Sequence, residues 1–276
     1  MLVKTRGNSV SVVRSLAKSL LPHFLVESRQ TFRSTRVLGY PVGASAHAAF
    51  SPSYRSAIDN SRITYLPESL RFRLNTVIDV GANEGQWITA LLTVASVNRI
   101  EAFEPNPHAV SRLREVLQEC KTYHVHQAAV GGRCGETEMH LTDDSRFSSL
   151  LKPRESLTKH YSTAAAVNEI TTVPVVTLDS ALSSLEEVDL LKIDVQGFEP
   201  EVLAGARQIT RRTKAILIEA NFVSQYENDQ CFFDLHRSLT KEFGFELWNV
   251  SPITYGAEGR AMWCDAVFVN REILGN

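Results

Sequence analysis

The sequence contains few cysteines and none at metal-binding spacing. Cys120, Cys134, Cys231 and Cys264 lie far apart in the chain, and no C-x-x-C pair is present. A zinc site needs clustered ligands, and isolated thiols are typical of proteins in a reducing compartment. We therefore predict no metal site and a cytoplasmic location.

Neither sign of charge is in large excess. Lys and Arg number 29 against 31 Asp and Glu, which gives a net charge of −2. Because nothing draws such a chain as a whole to a polyphosphate, we expect no nucleic-acid partner.

Long apolar runs are also missing. Lys4, Arg6, Arg14 and Lys18 interrupt each apolar stretch near the N-terminus, so we expect neither a signal-peptide core nor a membrane span there. With 276 residues, of which 43% are hydrophobic, the chain has the length and composition of a globular protein with one α/β domain and an appendage.

The first forty residues differ from the rest because basic side chains outnumber acidic ones seven to one. Apolar residues at helical spacing between Val10 and Phe24 predict a helix with one apolar stripe. That helix would pack on the main domain or at an oligomer interface; the alternative is a weak contact with an anionic membrane surface. Because residues 39–61 have the composition of a connector, we predict a basic N-terminal helical and connector segment (1–70) and a folded domain (71–276).

Strand-like and helix-like segments alternate from residue 71 onward, which predicts an α/β fold with a mostly parallel sheet and helices on both faces. The predicted core strands lie near 76–80, 100–104, 123–130, 190–194, 215–220, 245–250 and 266–270. Extra strands are expected at 136–141 and 173–177, around a Ser-rich insertion at 142–170. Asn106 is expected to cap a helix whose first residue is Pro107.

A glycine-bracketed loop follows the first of these strands. Gly81 and Gly85 allow positive φ and leave no Cβ, so the backbone can turn sharply and lie close to a ligand, towards which we expect the loop's N–H groups to point. Acidic residues end four strands, at Asp79, Glu104, Asp194 and Glu219. Each of them alone is usually a helix cap or a solvated charge, but strand ends of one sheet meet at one edge.

Two classes of cofactor fit a glycine loop followed by an acidic strand end. A dinucleotide site needs G-x-G-x-x-G, and here Asn83 and Gln86 stand in place of the second and third glycines. A diphosphate-bearing cofactor is therefore disfavoured. S-adenosylmethionine (SAM) has no phosphate and needs only the close approach that Gly81 and Gly85 permit.

A set of linked motifs over about residues 75–270 resembles the FkbM family of SAM-dependent methyltransferases. They are, in chain order, VIDVGANEGQW, FEPNP, AAVGG, VPVVTLDSAL, DLLKIDVQGFEPEVLAGA and ILIEAN. The resemblance implies a Rossmann-like class I methyltransferase fold, with a seven-stranded sheet whose last strand pair is antiparallel. It also implies SAM as cofactor and O-methylation of a hydroxyl on a sugar or secondary metabolite, such as a glycolipid, a polysaccharide or a polyketide-like acceptor. The family commonly has Glu where this chain has Gln196, which puts the class of acceptor in question.

The resemblance also implies a set of cofactor-binding residues. The methionine end of SAM would be shaped by Asp79, Gly81, Ala82, Asn83 and Gly85. Glu104 would hold the ribose, with Pro105 and Asn106 nearby, and Ala128 and Ala129 would flank the adenine.

The reaction also requires a base, because an alcohol must lose its proton as it attacks the methyl group. We predict that Asp194, at the end of the fourth strand, is this base, and that partial burial raises its pKa. The alternative role of Asp194 is to cap a helix or bind the amino group of SAM. Two other functions remain open from sequence: a NAD-type oxidoreductase, and a non-catalytic SAM-binding or scaffold protein of a biosynthetic pathway.

Overall fold

The computed structural model describes residues 36–37, 40–41, 52–118, 120–256 and 258–274. Contacts divide the chain into two units between Ala57 and Ile58, within helix α1 (Pro52–Ser61). In the first unit, β1 (Arg36–Val37) pairs antiparallel with β2 (Tyr40–Pro41). The predicted basic helix between Val10 and Phe24 lies outside the described residues, and the domain boundary near residue 70 stays a prediction.

The second unit contains all the other elements. Its strands are β3 (Arg73–Val80), β4 (Ser96–Phe103), β5 (Thr122–His126), β6 (Ala129–Val130), β7 (Gly135–Thr142), β8 (Val167–Val176), β9 (Val188–Ile193), β10 (Thr213–Asn221), β11 (Glu246–Val250), β12 (Thr254–Tyr255) and β13 (Ala261–Val269). Its helices are α2 (Gln86–Val94), α3 (Pro107–Leu117), α4 (Glu155–Tyr161), α5 (Leu178–Ala181), α6 (Glu199–Ala204), α7 (Arg207–Arg211), α8 (Phe232–Lys241) and α9 (Arg271–Leu274). Short 3-10 helices cover Ile63–Tyr65, Glu68–Leu70, Ser145–Phe147 and Ser162–Ala165.

The main sheet has the order β11–β13–β10–β9–β3–β4–β5, with β12 paired only to β13. Neighbouring strands from β10 to β5 are parallel, and β13 runs antiparallel to both β10 and β11. All six residues of β9 are buried, as expected for a parallel strand covered on both faces. The predicted mostly parallel sheet is thus confirmed, with seven strands in its main path and β12 as a short eighth strand beside β13.

Three details of the fold differ from the sequence prediction or sharpen it. The strand predicted over 123–130 divides after His126, where Ala128 N donates to His126 O, and Ala129–Val130 joins a separate sheet of order β6–β8–β7. Residues 199–211 form two helices, α6 and α7, because the Asp179 carboxylate accepts from two backbone N–H groups at the start of α7 and so caps a new helix. The capping of α3 is confirmed, since Asn106 Oδ1 accepts from His108 N at 3.0 Å.

Among the residues that the structure describes, no helix has both the length and the apolarity required to cross a membrane.

Candidate active site

A cavity of about 670 Å³ lies at the carboxyl ends of the central strands. It is lined by eight of the predicted site residues: Gly81, Ala82, Asn83, Glu104, Pro105, Ala128, Ala129 and Asp194. The other three, Asp79, Gly85 and Asn106, do not line it. Asp79 lies behind the cavity wall, Gly85 opens α2, and Asn106 caps α3. The convergence of strand ends therefore brings together residues that are far apart in the chain.

The glycine loop owes its shape to contact with β9. Gly81 has φ +81°, and a Cβ placed on it would lie 1.9 Å from the carbonyl oxygen of Asp194, so only glycine fits. The expectation that the loop's N–H groups face the ligand is wrong for the residues after β3. Gly81 N and Ala82 N donate to Phe103 O, and Asn83 N donates to Glu104. These donors already have acceptors within the protein, so they do not form a site for a diphosphate.

Glu104 is a buried carboxylate held by the backbone on two sides. Its Oε2 accepts from Asn83 N and its Oε1 from Asn106 N, each at 2.7 Å. Burial raises the pKa of Glu104 to about 7, although these two hydrogen bonds oppose the shift. Each carboxylate oxygen can accept a second hydrogen bond, so the side chain is placed to receive hydroxyl groups of a ligand in the cavity.

Lys192 is a residue of this site that sequence reasoning missed. It lies on β9 with only 6% of its surface exposed, and its Nζ lies 3.0 Å from Asp79 Oδ1 and 3.5 Å from Asp194 Oδ2. The same ammonium donates to Gly81 O at 3.0 Å. Burial opposes the charge on Lys192, but Asp79 and Asp194 raise its pKa, so it stays protonated. A lysine inside an otherwise apolar strand was the available signal, since such a charge is buried only with partners.

Asp194 is linked to Glu219 through the side chain of Gln196. Gln196 Nε2 donates to Asp194 Oδ1 at 3.0 Å and to Glu219 Oε2 at 2.6 Å. The expected rise in the pKa of Asp194 is wrong. Burial acts in that direction, but Lys192 and hydrogen bonds from Glu219 and Gln196 hold the pKa below its ordinary value. Asp194 is therefore ionised at neutral pH.

The insertion at 142–170 forms part of the cavity wall, including residues 144–150 and Tyr161. Ser149 Oγ donates to Gln196 O at 2.8 Å, and Tyr226 OH lies 3.2 Å from Phe147 O. The opposite wall includes Trp263 and Asp265 of β13. The sequence marked 142–170 as the segment expected to choose the acceptor but did not identify these side chains, because no periodicity marks the insertion and the sheet order alone brings β13 beside β10.

The cavity fits SAM on its own geometry. Asn83 lines the cavity, and its side-chain oxygen is buried and accepts no hydrogen bond within the protein, a condition that calls for a partner from outside the protein such as a bound ligand. Gly81 lines the same cavity, and its missing Cβ lets its backbone lie directly against that of Asp194. Ala128 and Ala129 leave room beside Phe103 and Glu104 for a flat base.

The sheet order, the single antiparallel strand and the cavity at the strand ends define a Rossmann-like class I methyltransferase fold. A sequence model of the family described as the methyltransferase FkbM domain matches residues 79–247, and the chain belongs to this family. It is a SAM-dependent methyltransferase, as the motifs from VIDVGANEGQW to ILIEAN predict.

Individual proteins also show similarity. The 2-O-methyltransferase NoeI of Sinorhizobium fredii (strain NBRC 101917 / NGR234) is 28% identical over 190 residues, which cover 66% of this chain and 76% of that protein. A crystal structure of methyltransferase FkbM from Methylobacillus flagellatus KT has a TM-score of 0.49 and 17% sequence identity. The match covers 79% of this chain and 50% of the chain in that structure. Fibrillarin of Aeropyrum pernix, in complex with natively bound SAM, has a TM-score of 0.45 and 14% sequence identity. The match covers 78% of this chain and 75% of the fibrillarin chain.

Proposed function

We propose that this methyltransferase transfers the methyl group of SAM to a hydroxyl of a sugar or secondary-metabolite acceptor, such as a glycolipid, a polysaccharide or a polyketide-like compound. The observation that carries the proposal is an ionised carboxylate, Asp194, in the wall of the cavity beside Gly81. An oxygen acceptor needs such a proton acceptor, because the hydroxyl proton must leave as the new bond forms. The similarity to a 2-O-methyltransferase supports transfer to oxygen.

The roles of the cavity residues follow from their positions. Glu104 accepts hydrogen bonds from the ribose hydroxyls, and Asn83 and the backbone around Gly81 hold the amino-acid end. Ala128 and Ala129 flank the adenine. Asp79 does not line the cavity and acts through Lys192, whose ammonium it holds 3.0 Å away.

Bound SAM supplies a methyl group that its positive sulfur has already activated. The protein's task is to align the acceptor oxygen, exclude water and take up one proton. Asp194 takes the hydroxyl proton as the oxygen–methyl bond forms and the sulfur–methyl bond breaks. Because the pKa of Asp194 lies below its ordinary value, proton transfer accompanies methyl transfer and does not precede it.

The test is transfer of an isotopically labelled methyl group from SAM to a panel of sugars and polyhydroxylated natural products. We expect a product heavier by one methylene group, with an NMR signal of a methyl ether. Asp194→Asn should retain SAM affinity and lose at least about a hundredfold in turnover, in line with the usual contribution of a general base. Asp234→Asn, on the exposed face of α8, serves as the control. A methylated nitrogen or carbon in the product, or full activity of Asp194→Asn, would contradict the proposal.

The two alternatives considered from sequence have less support. An oxidoreductase that uses NAD needs donors for a diphosphate, and the N–H groups of Gly81, Ala82 and Asn83 are already bonded within the protein. A purely scaffolding role leaves the buried, unpaired oxygen of Asn83 without a purpose. Contact of the N-terminal helix with a membrane surface and a cytoplasmic location remain predictions from the sequence.

A further inference from the structure

We propose that Asp194 and Glu219 act as one proton-accepting unit, in which two carboxylates hold a single proton between them, and that Gln196 is the positioning residue that keeps the two together. This inference rests on the proposed function, because it describes how the base of that reaction is built. It assigns a task to Glu219, which lies near the end of β10 in the cavity wall.

The geometry of the Gln196 amide is the first support. One amide nitrogen carries two hydrogens, and its distances of 3.0 Å to Asp194 Oδ1 and 2.6 Å to Glu219 Oε2 assign one hydrogen to each carboxylate. Two carboxyl groups that share a donor nitrogen lie too close for both to ionise without a large electrostatic cost. A proton retained on one of them removes that cost.

The orientation of Gln196 is determined by its surroundings. Tyr226 is 1% exposed and donates its hydroxyl proton to Gln196 Oε1 at 2.8 Å, which directs the NH₂ end towards the carboxylates. Gln196 has φ +57°, a left-handed conformation that is costly for a residue with a Cβ. Glu199 Oε1 stabilises this turn by accepting from Val195 N at 3.1 Å and Gly197 N at 3.2 Å.

The charges around the pair assign the proton to Glu219. Lys192 lies on the Asp194 side, at 3.5 Å from Oδ2, and favours the ionised form of Asp194. Asp265 of β13 is the antiparallel partner of Glu219 in the sheet and pairs with Arg62 at 2.6 Å. Burial, followed by the charge on Asp194, raises the pKa of Glu219 well above its ordinary value. The other titratable groups that face the pair are Asp79, Glu199, Tyr226 and Cys264.

The pair then has a defined part in the reaction. Before transfer it holds one proton, on Glu219, which donates a hydrogen bond to Asp194. When the acceptor oxygen forms its bond to the methyl group, its proton moves to Asp194, and the sulfur–methyl bond breaks to leave a neutral thioether. The pair now holds two protons and no charge, and it returns one proton to water after the product leaves.

The first arm of the test needs neither SAM nor an acceptor. In the full-length protein, labelled with ¹³C at Asp and Glu carboxyl carbons, the signals of Asp194 and Glu219 are assigned from Asp194→Asn and Glu219→Gln and followed against pH. We expect Glu219 to remain protonated through neutral pH and Asp194 to remain ionised. In Asp194→Asn the midpoint of Glu219 should fall by at least about one pH unit, because the neighbouring anion is gone. Titration of Glu219 at the ordinary value of a glutamate, or a midpoint that Asp194→Asn leaves unchanged, would overturn the shared proton.

The second arm tests Gln196 as a positioning residue. Gln196→Leu removes both donated hydrogen bonds, and Gln196→Glu replaces the shared donor with a third carboxyl group. In each variant we expect the acid limb of the kcat–pH profile to move to higher pH by about one unit or more, with SAM affinity within about twofold of wild type. Gln118→Glu, an exposed position at the end of α3, adds the same charge away from the site and should change neither.

A milder variant guards against loss of folding. Tyr226→Phe removes only the hydroxyl that orients Gln196, and Tyr226 does not line the cavity. This variant should shift the acid limb of the kcat–pH profile in the same direction as Gln196→Leu but by a smaller amount. Tyr255→Phe, on an exposed tyrosine, is the control. Profiles of Gln196→Leu and Tyr226→Phe identical to wild type would overturn the role of Gln196.

The two arms separate this inference from the proposed function. If the protein methylates no hydroxyl acceptor but the carboxyl signals show one shared proton, the proposed reaction fails and the pair stands. If methyl transfer to oxygen is observed but Glu219 titrates independently of Asp194, the reaction stands and the shared-proton inference fails.

Discussion

SAM binding should depend on pH through Glu104, and the substitution Glu104→Gln should remove that dependence. The carboxylate already accepts one hydrogen bond on each oxygen, from Asn83 N and Asn106 N, and burial raises its pKa to about 7. Ribose hydroxyls donate to the ionised form, so a bound ligand lowers the pKa of Glu104. By linkage, the affinity must fall as the pH falls below about 7 and a proton must be displaced on binding.

The size of the effect follows from the pKa. If the bound form remains ionised, lowering the pH from about 8.5 to 5.5 protonates nearly all of the free protein at Glu104 and weakens binding about 30-fold, since each pH unit below the pKa costs about tenfold. A hydrogen bond to a charged acceptor contributes about 1 kcal/mol more than one to a neutral acceptor, so two such bonds account for an effect of this size. Glu104→Gln, which mimics the protonated side chain, should therefore bind SAM at least tenfold more weakly at high pH and about as well as wild type at pH 5.5.

Isothermal titration calorimetry is the assay, run at several pH values and in buffers of different ionisation enthalpy. The ratio of the wild-type and Glu104→Gln affinities cancels the ionisation of the amino group of SAM. Wild type should release close to one proton more than the variant on binding at pH 6. Glu199→Gln is the control, because it removes another carboxyl group whose pKa is about 7. Glu199 does not line the cavity, so this variant should keep the wild-type pH dependence of SAM binding. Parallel pH curves for wild type and Glu104→Gln would show that Glu104 does not couple SAM binding to pH.

Three further predictions concern stability and the shape of the site. Gly81→Ala should abolish SAM binding and cost well over the ~1–2 kcal/mol expected for positive φ alone, because its Cβ would lie 1.9 Å from a backbone oxygen. Gly244→Ala, at φ +74° with open space, should show only the φ cost in urea unfolding, and equal losses in the two variants would contradict this. Lys192→Met should lower the free energy of unfolding by about 3–5 kcal/mol, because it leaves buried carboxylates unpaired. Adding Asp79→Asn should restore part of that free energy. If the second substitution instead lowered it further by its own separate cost, the ion pair would be excluded. Folding raises the pKa of Glu199 from 4.5 to about 7, so the folded state loses stability as the pH rises through that window. The Tm of Glu199→Gln should therefore rise relative to that of wild type between pH 5 and pH 8. A Tm difference between the two proteins that does not change with pH would rule this out.

Local sequence signals identified the part of the site that SAM is proposed to occupy. The β-branched run before Gly81, the glycine spacing and the acidic residue after β4 all lie in two consecutive βα units, where short-range patterns determine the structure. The cap at Asn106 belongs to the same stretch, and its chemistry is complete within three residues. These features could be predicted because neighbours along the chain are also neighbours in space.

The rest of the site depends on the order of the strands in the sheet. That order cannot be predicted from the hydrophobic pattern of any one strand. Lys192 is understandable only when β9 lies beside β3, since Asp79 is then its partner. The direction of the Asp194 pKa shift was predicted wrongly although Lys192 stands only two residues before it, because the partner that holds the ammonium in place, Asp79 on β3, is known only from the strand order. The contact of Tyr226 with Gln196 likewise joins two loops that lie far apart in the chain.

We propose that the cavity at the head of the sheet binds SAM with its ribose on Glu104 and its sulfur directed to Asp194. A crystal structure of the protein with S-adenosylhomocysteine tests it most directly. We expect both ribose hydroxyls within hydrogen-bond distance of the Glu104 carboxylate, the amino-acid end against Gly81 and Asn83, and an open path from sulfur to Asp194. A ligand whose ribose does not contact Glu104, or whose sulfur faces away from Asp194, would contradict it.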